Sequence, residues 1–403
     1  MRIFFSVGEP SGDLHASNLI RHLRSREPQF EAVGYGGPKM VDAGCTLRFD
    51  LTTLAVMFLS GAIKNLRTFF RLIADADKYF EANDVDAVVL IDYPGFNWWI
   101  ARKAKKHNIP VFYYGVPQMW AWAPWRIGKI RKFVDHVICK LPFEPKWFAD
   151  RNCNAFYVGH PYFDQLDTQV HDEEFIQTQS QSHKEAPMVL LLPGSRNSEV
   201  AKNLDTLINA GKVIQAELPG TRIAIGYFSD AHQESARTKC EQANIDTFVG
   251  RTPELMKMAD ACIACSGSVS LELMHYRVPS VIVYKVGIMI FALQIFMIRC
   301  KYITLPNLMM ASTIKKSKWL PYDPDAADAE EVLMPEYLTW RDCSVKAAGH
   351  IVRWLRSDQE RTKKQQAMEQ LAKDYAKPGA TSRAAEYIIA KLRSEASNSS
   401  AAA

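Results

Sequence analysis

The sequence is first informative in what it lacks. Its eight cysteines in 403 residues follow no framework spacing, and the lone C-x-x-C, Cys262 and Cys265, sits in an apolar run, "ADACIACSG", with no second ligand pair after it. That excludes a disulfide-stapled fold or zinc ribbon and suggests packing thiols in a reducing compartment. A strong charge of either sign is also missing. With 49 basic against 44 acidic residues the net charge is +5, unconcentrated in any block. This argues against a nucleic-acid partner and suits anionic small ligands or an anionic membrane surface. No apolar run reaches the roughly 20 residues a spanning helix needs. The chain enters a strand at Arg2 without a signal-type apolar region, so a cytoplasmic location is expected. A metal motif of the D-x-D kind occurs only as Asp75-Ala76-Asp77 on a helical pattern, where a solvated face accounts for it.

What is present is an alternation of strands and helices. Strands are expected at 2–7, 31–35, 86–91, 110–114, 134–139 and 155–158, with helices at 13–26, 64–82 and 97–107. A polar stretch, 167–187, reads as a linker. A second series begins with the strand, turn and helix start of 188–199 and continues with strands at 221–227, 246–250, 260–265 and 279–285. Strand–helix alternation implies right-handed βαβ units and parallel sheets. The reading is therefore α/β with two doubly wound domains, 1–166 and 188–340, helices over 341–393 and a frayed tail, 394–403. Ligands of such sheets bind at the carboxyl ends of the strands, and glycine-bearing loops of both domains lie there, so a cleft between the domains is expected.

The first such loop, "VGEPSGDLH" (7–15), has Gly8 and Gly12 but neither the third glycine of a dinucleotide fingerprint nor the lysine of a P-loop. Glu9 and Asp13 beside a diphosphate would repel it. Sugar hydroxyls or, for Asp13, capping of the adjoining helix are the readings left. "LIDYPGFN" (90–97) puts Asp92 at the end of an apolar strand, where a carboxylate can act as general base. In the second domain "LLLPGSRNSE" (190–199) offers turn amides and the Arg196 fork to an anion. "CSGSVSLE" (265–272) repeats the arrangement, with Gly267 and Ser268 opening a helix and Glu272 one turn in, suited to ribose hydroxyls. The pair describes a nucleotide diphosphate held without metal or other cofactor. His160, ending "VGH", is open between a phosphate and a backbone contact. Trp120 and Trp122 are open between a hydrophobic mini-core and stacking on sugar or lipid. Two apolar stretches with basic residues, 54–73 (Met57, Phe58, Phe69 and Phe70) and 286–301, are open between ordinary core helices and helices lying in a membrane interface.

With these residues in place the chain resembles the lipid-A-disaccharide synthase family, glycosyltransferases of the GT-B class with two Rossmann-like domains. The resemblance runs from "GEPSGDLH" through "GYGGPKM", "IDYPGFN", "WAW", "LPFEP", "VGHP" and "LLPGSR" to "TLPN" and "MPEYL". It implies inverting transfer of 2,3-diacylglucosamine from its UDP donor to 2,3-diacylglucosamine 1-phosphate (lipid X), peripheral to the cytoplasmic face of an inner membrane. It further implies Asp92 as base, functional roles for Glu9, Ser11, Arg196 and Asn307, and UDP contacts from Gly267, Ser268 and Glu272. Gly95 stands where the family often carries a second acidic residue, and the acidic stretch 322–332 reads as an inserted solvated loop. Rival readings are another UDP-sugar enzyme of the same fold, such as a hexosamine epimerase or lipid-carrier glycosyltransferase, and a non-catalytic nucleotide-sugar sensor. A homodimer exchanging its C-terminal helices is left open.

Overall fold

The computed structural model describes residues 1–53, 66–182, 186–316, 320–327 and 329–402. The chain divides into two compact units, Met1–Asp167 with Lys377–Ala403, and Thr168–Ala376.

In the first unit seven parallel strands run in the order β3-β2-β1-β4-β5-β6-β7. They are β1 (Arg2–Val7), β2 (Glu31–Gly36), β3 (Thr46–Asp50), β4 (Ala87–Ile91), β5 (Val111–Tyr114), β6 (His136–Cys139) and β7 (Ala155–Tyr157). The central strands are apolar because helices cover both faces. Successive residues of β1 then feed opposite layers: Phe4 joins the cluster of Tyr35, Leu90 and Phe96, and Phe5 that of Leu19, Val89 and Ile388. Ile388 comes from the last helix, Ala380–Ala402, which returns to this unit. Asp164 caps its start, accepting from the amides of Gly379, Ala380 and Thr381 at 2.7–3.0 Å.

The second unit repeats the winding with six parallel strands, β10-β9-β8-β11-β12-β13. These are β8 (Met188–Leu192), β9 (Arg222–Tyr227), β10 (Asp246–Val249), β11 (Ala261–Cys265), β12 (Ser280–Lys285) and β13 (Glu336–Thr339). In both sheets the order reverses beside the first strand, between β1 and β4 and between β8 and β11.

Several expectations are corrected. The segment 167–187 holds a helix, Glu173–Ser182: Asp172 accepts from the Phe175 amide at 3.0 Å, and the Phe175 ring meets Phe248. The expected tail is helical to Ala402. Asp75 and Asp77 are engaged, the first by Arg48 (2.6 Å), the second by Lys103 (2.6 Å) and His107 (2.8 Å), which holds Asp77 down at about 2. The acidic stretch is also tied in, through Asp325 to Lys346 (2.9 Å) and Glu331 to Lys363 (3.1 Å). All eight cysteines are free and buried, including Cys262 and Cys265.

Candidate functional site

Val7 of β1 pairs with Ile91 of β4, so the turns that follow, Gly8–Glu9 and Asp92–Tyr93, leave the sheet together at its switch point. Asp92 (φ +46°) and Tyr93 (φ +39°) are both left-handed. Each such non-glycine residue costs on the order of 1–3 kcal/mol unless its surroundings hold it. Here they do. The buried Asn97 amide donates to the carbonyls of Asp92 (2.8 Å), Ile91 (3.2 Å) and Ser6 (3.2 Å), while its oxygen accepts from the Ser6 hydroxyl (2.6 Å). Tyr113 donates to the same Asp92 carbonyl at 2.7 Å. The Tyr93 ring lies against Gly8, where a Cβ would fall 2.2 Å from it. Asn97 is thus a clamp inside the helix Pro94–Lys106, three positions past where that helix begins.

The Asp92 carboxylate is half-buried and faces Lys140 at 3.6 Å from Oδ1. Lys140 follows β6, and its amide and that of Leu141 donate to Glu144 Oε2 at 2.9 and 3.0 Å. Glu144 is buried, which raises its carboxyl above the usual range, and its other oxygen accepts from Trp120 Nε1 at 3.0 Å. His15, on the helix Pro10–Arg26, is pushed down to about 4, chiefly by burial and then by Lys140. Its Nδ1 has no hydrogen-bond partner among the described residues. Burial likewise drives His160 well below its ordinary range, and its Nδ1 accepts from the Tyr162 amide at 3.2 Å. Both imidazoles are therefore neutral near pH 7.

Glu9 is exposed on the turn and Ser11 in the first turn of the helix behind it, and Glu9 adds to burial in raising the Tyr93 hydroxyl. Asp13 does not cap its own helix, which begins at Pro10. It accepts from the amides of Gly37, Lys39 and Met40 at 3.0–3.1 Å and caps the neighbouring Pro38–Asp42 helix. Trp120 is only 4% exposed and belongs to the interior, whereas Trp122, 37% exposed, lies under Arg126 at 4.3 Å. Phe69 packs edge-on against Phe96, and the exposed Phe70 meets Trp99. Met57 and Phe58 lie outside the described residues.

In the second unit Leu192 pairs with Ala264, and the turns 193–196 and 266–268 follow at that sheet's own switch point. The first turn already binds an anion from its own chain. Glu199 Oε2 accepts from the amides of Ser195 and Arg196 at 3.2 Å, and Glu199 Oε1 accepts from Arg196 Nη1 at 2.8 Å. The expectation of free turn amides is corrected: a diphosphate using them must exchange with Glu199. The Arg196 side chain is 80% exposed. Gly267 and Ser268 are exposed, with no atom within 4 Å of where a Cβ at Gly267 would stand. Glu272 is buried on the helix Val269–His275 and adds to burial in raising the Tyr276 hydroxyl. Asn307 is fully used as a brace: it donates to the Met334 carbonyl (2.7 Å) and Glu336 (3.0 Å) and accepts from the Met334 amide (3.0 Å).

The first unit thus gathers Glu9, Ser11, Asp92 and His160, and the second Arg196, Gly267 and Ser268. Sequence reasoning missed Lys140 and His15. The signal for Lys140 was there, a charged residue directly after the apolar strand pattern "VDHVIC", the same signal that marks Asp92.

A family model described as Lipid-A-disaccharide synthetase matches residues 3–322. The lipid-A-disaccharide synthase of Coxiella burnetii (strain Dugway 5J108-111) is 35% identical over 307 residues, 76% of this chain and 81% of that one. Lipid-A-disaccharide synthase 1 of Legionella pneumophila (strain Lens) is 31% identical over 330 residues, 81% and 85% of the two chains. Among solved structures, the S. aureus MnaA–UDP co-structure superposes with a TM-score of 0.62 at 11% identity, covering 97% of this chain and 96% of that one. The calicheamicin glycosyltransferase CalG4 does so at 0.56 and 13%, covering 98% and 99%, a likeness of fold. With ordered motifs, doubly wound sheets and a family match over most of its length, the chain belongs to the lipid-A-disaccharide synthase family, glycosyltransferases of lipid A biosynthesis built on the GT-B fold.

Proposed function

We infer that the chain transfers 2,3-diacylglucosamine from UDP-2,3-diacylglucosamine to the 6-hydroxyl of 2,3-diacylglucosamine 1-phosphate (lipid X), giving a β-1,6-linked disaccharide 1-phosphate and UDP. The observation that carries this reading is the clamped left-handed turn that presents Asp92 at the switch point of the first sheet. Asp92 takes the proton of the acceptor hydroxyl as O6 forms its bond to the anomeric carbon. The bond from that carbon to the diphosphate breaks on the opposite face, its electron pair leaving with UDP. One base and in-line geometry suffice for inversion. Arg196 and the amides around Gly267 and Ser268 meet the diphosphate charge, Glu272 serves the ribose, and Glu9 and Ser11 line the acceptor side. No metal or other cofactor is assigned a part.

Acyl chains on both substrates call for apolar surface, which supports a peripheral position on the cytoplasmic face of an anionic inner membrane. No described helix is long and apolar enough to cross a membrane. The helix Ile288–Met297 buries none of its residues and exposes Ile288, Met289, Ile290, Leu293 and Phe296, with Arg299 and Lys301 just beyond it. Phe70, Trp99 and Trp122 are exposed on the first unit.

The test is direct. The protein in detergent is incubated with the two substrates, and disaccharide and UDP are read by mass. Asp92→Asn is expected to lose about 10²–10⁴ in rate, the usual contribution of a general base. Arg196→Ala is expected to lose roughly 10²-fold as a diphosphate contact. No product from folded protein would overturn the reading.

A further inference from the structure

Lys140 has no part in the reaction as described, yet its surroundings are built around it. Its amide is fixed by Glu144, which Trp120 holds in turn. Beneath its ammonium lies Gly115, left-handed at φ +70°, where a Cβ would come within 2.9 Å of Lys140 Nζ and 3.2 Å of Asp92 Oδ1. The two Asp92 oxygens are thereby divided. Oδ1 faces Lys140 at 3.6 Å, while Oδ2 lies on the side of Gly12, 3.8 Å from where its Cβ would be.

We propose that Lys140 is the positioning residue of Asp92: its ammonium holds Oδ1 and so leaves Oδ2 on the side of Gly12, where an acceptor hydroxyl can meet it. This rests on the reading of Asp92 as the base. The other groups around Asp92 do not supply that charge. His15 and His160 are neutral, and Lys39 and Asp164 act on His15. The hydroxyls of Tyr93, Tyr113 and Tyr114 are raised by burial, and Arg383 acts on Tyr114.

The experiment compares kcat and KM from pH 4.5 to 9 for the full chain, Lys140→Met, Lys140→Arg and Asp92→Asn. Losing the contact that orients the carboxylate costs the reaction its geometry, so Lys140→Met should lower kcat roughly tenfold and leave the acceptor KM nearly unchanged. Lys140→Arg should restore the parent kcat. An unchanged kcat in Lys140→Met overturns the proposal. So does a rise in acceptor KM with an unchanged kcat profile, which makes Lys140 a substrate contact. If Lys140→Met fails to fold by circular dichroism, Lys140→Gln carries the same test. An active Asp92→Asn sinks the base reading itself; an inactive one with an unchanged Lys140→Met kcat sinks only the role of Lys140.

Discussion

Asn97 shows how much of this site depends on side chains that never meet substrate. Asn97→Ala would remove its bonds to the Asp92, Ile91 and Ser6 carbonyls and its acceptor for the Ser6 hydroxyl at once, leaving only Tyr113 on the Asp92 carbonyl. Buried groups left unpaired cost about 1–3 kcal/mol each, so a loss of roughly 3 kcal/mol in urea unfolding is expected, with at least a tenfold fall in kcat. Unchanged kcat would mean that the left-handed turn needs no clamp. Asp92 was legible because a carboxylate after an apolar strand has few structural uses. Asp13 was legible only as a cap, since the helix it serves belongs to the next βα unit. Trp120 stayed open and Asn97 went unread for a related reason: their partners, Glu144 and the carbonyls of β1 and β4, are not sequence neighbours.

At the scale of elements the helix Leu305–Met310 is braced against β13 through Asn307 and Glu336. Glu336 also accepts from the amides of Ile303 (2.7 Å) and Thr304 (3.0 Å), yet burial raises it to about 7 from 4.5. The folded protein keeps a proton that the unfolded chain has already released between those pH values. Stability from this group is therefore full below about pH 4.5, declines as pH rises to about 7 and is level above. The shift corresponds to about 3 kcal/mol. Glu336→Gln should flatten the decline, which urea midpoints at pH 5 and pH 8 will show; an equal decline in the variant would contradict it. Buried strands such as β4 and β8 were readable from their apolar runs. The edge strands β3, "TLRFD", and β13, "EYLT", were not, because polar residues, exposed in β3 and including the buried Glu336 in β13, dilute the pattern. The helix in 167–187 escaped for a similar reason: Phe175 is its one aromatic, and polar contacts anchor it as well, Asp172 to Arg251, Glu173 to Lys257 and Gln179 to Arg222.

For the whole molecule, the exposed helix Ile288–Met297 gives the membrane reading its sharpest test. Met289 is 84% exposed, and burying one such side chain is worth about 1.5–3 kcal/mol. Met289→Glu combined with Phe296→Glu should weaken co-sedimentation with anionic vesicles by about 100-fold or more. Turnover of detergent-dispersed substrates should remain. Unaltered sedimentation would move the docking surface elsewhere.

The last helix has a consequence for synthesis. The unit built first, Met1–Asp167, lacks one wall of its core until Ala384, Ala385 and Ile388 have been made, whereas the later unit ends at Ala376. On the ribosome, where domains ordinarily fold in the order they emerge, the second-made domain can close before the first. The half-finished sheet must wait through more than half of translation with an apolar flank uncovered. Lesions in the final two turns of sequence that reach its core, such as Ile388→Asp, should therefore reduce soluble yield by damaging the domain at the opposite end of the gene.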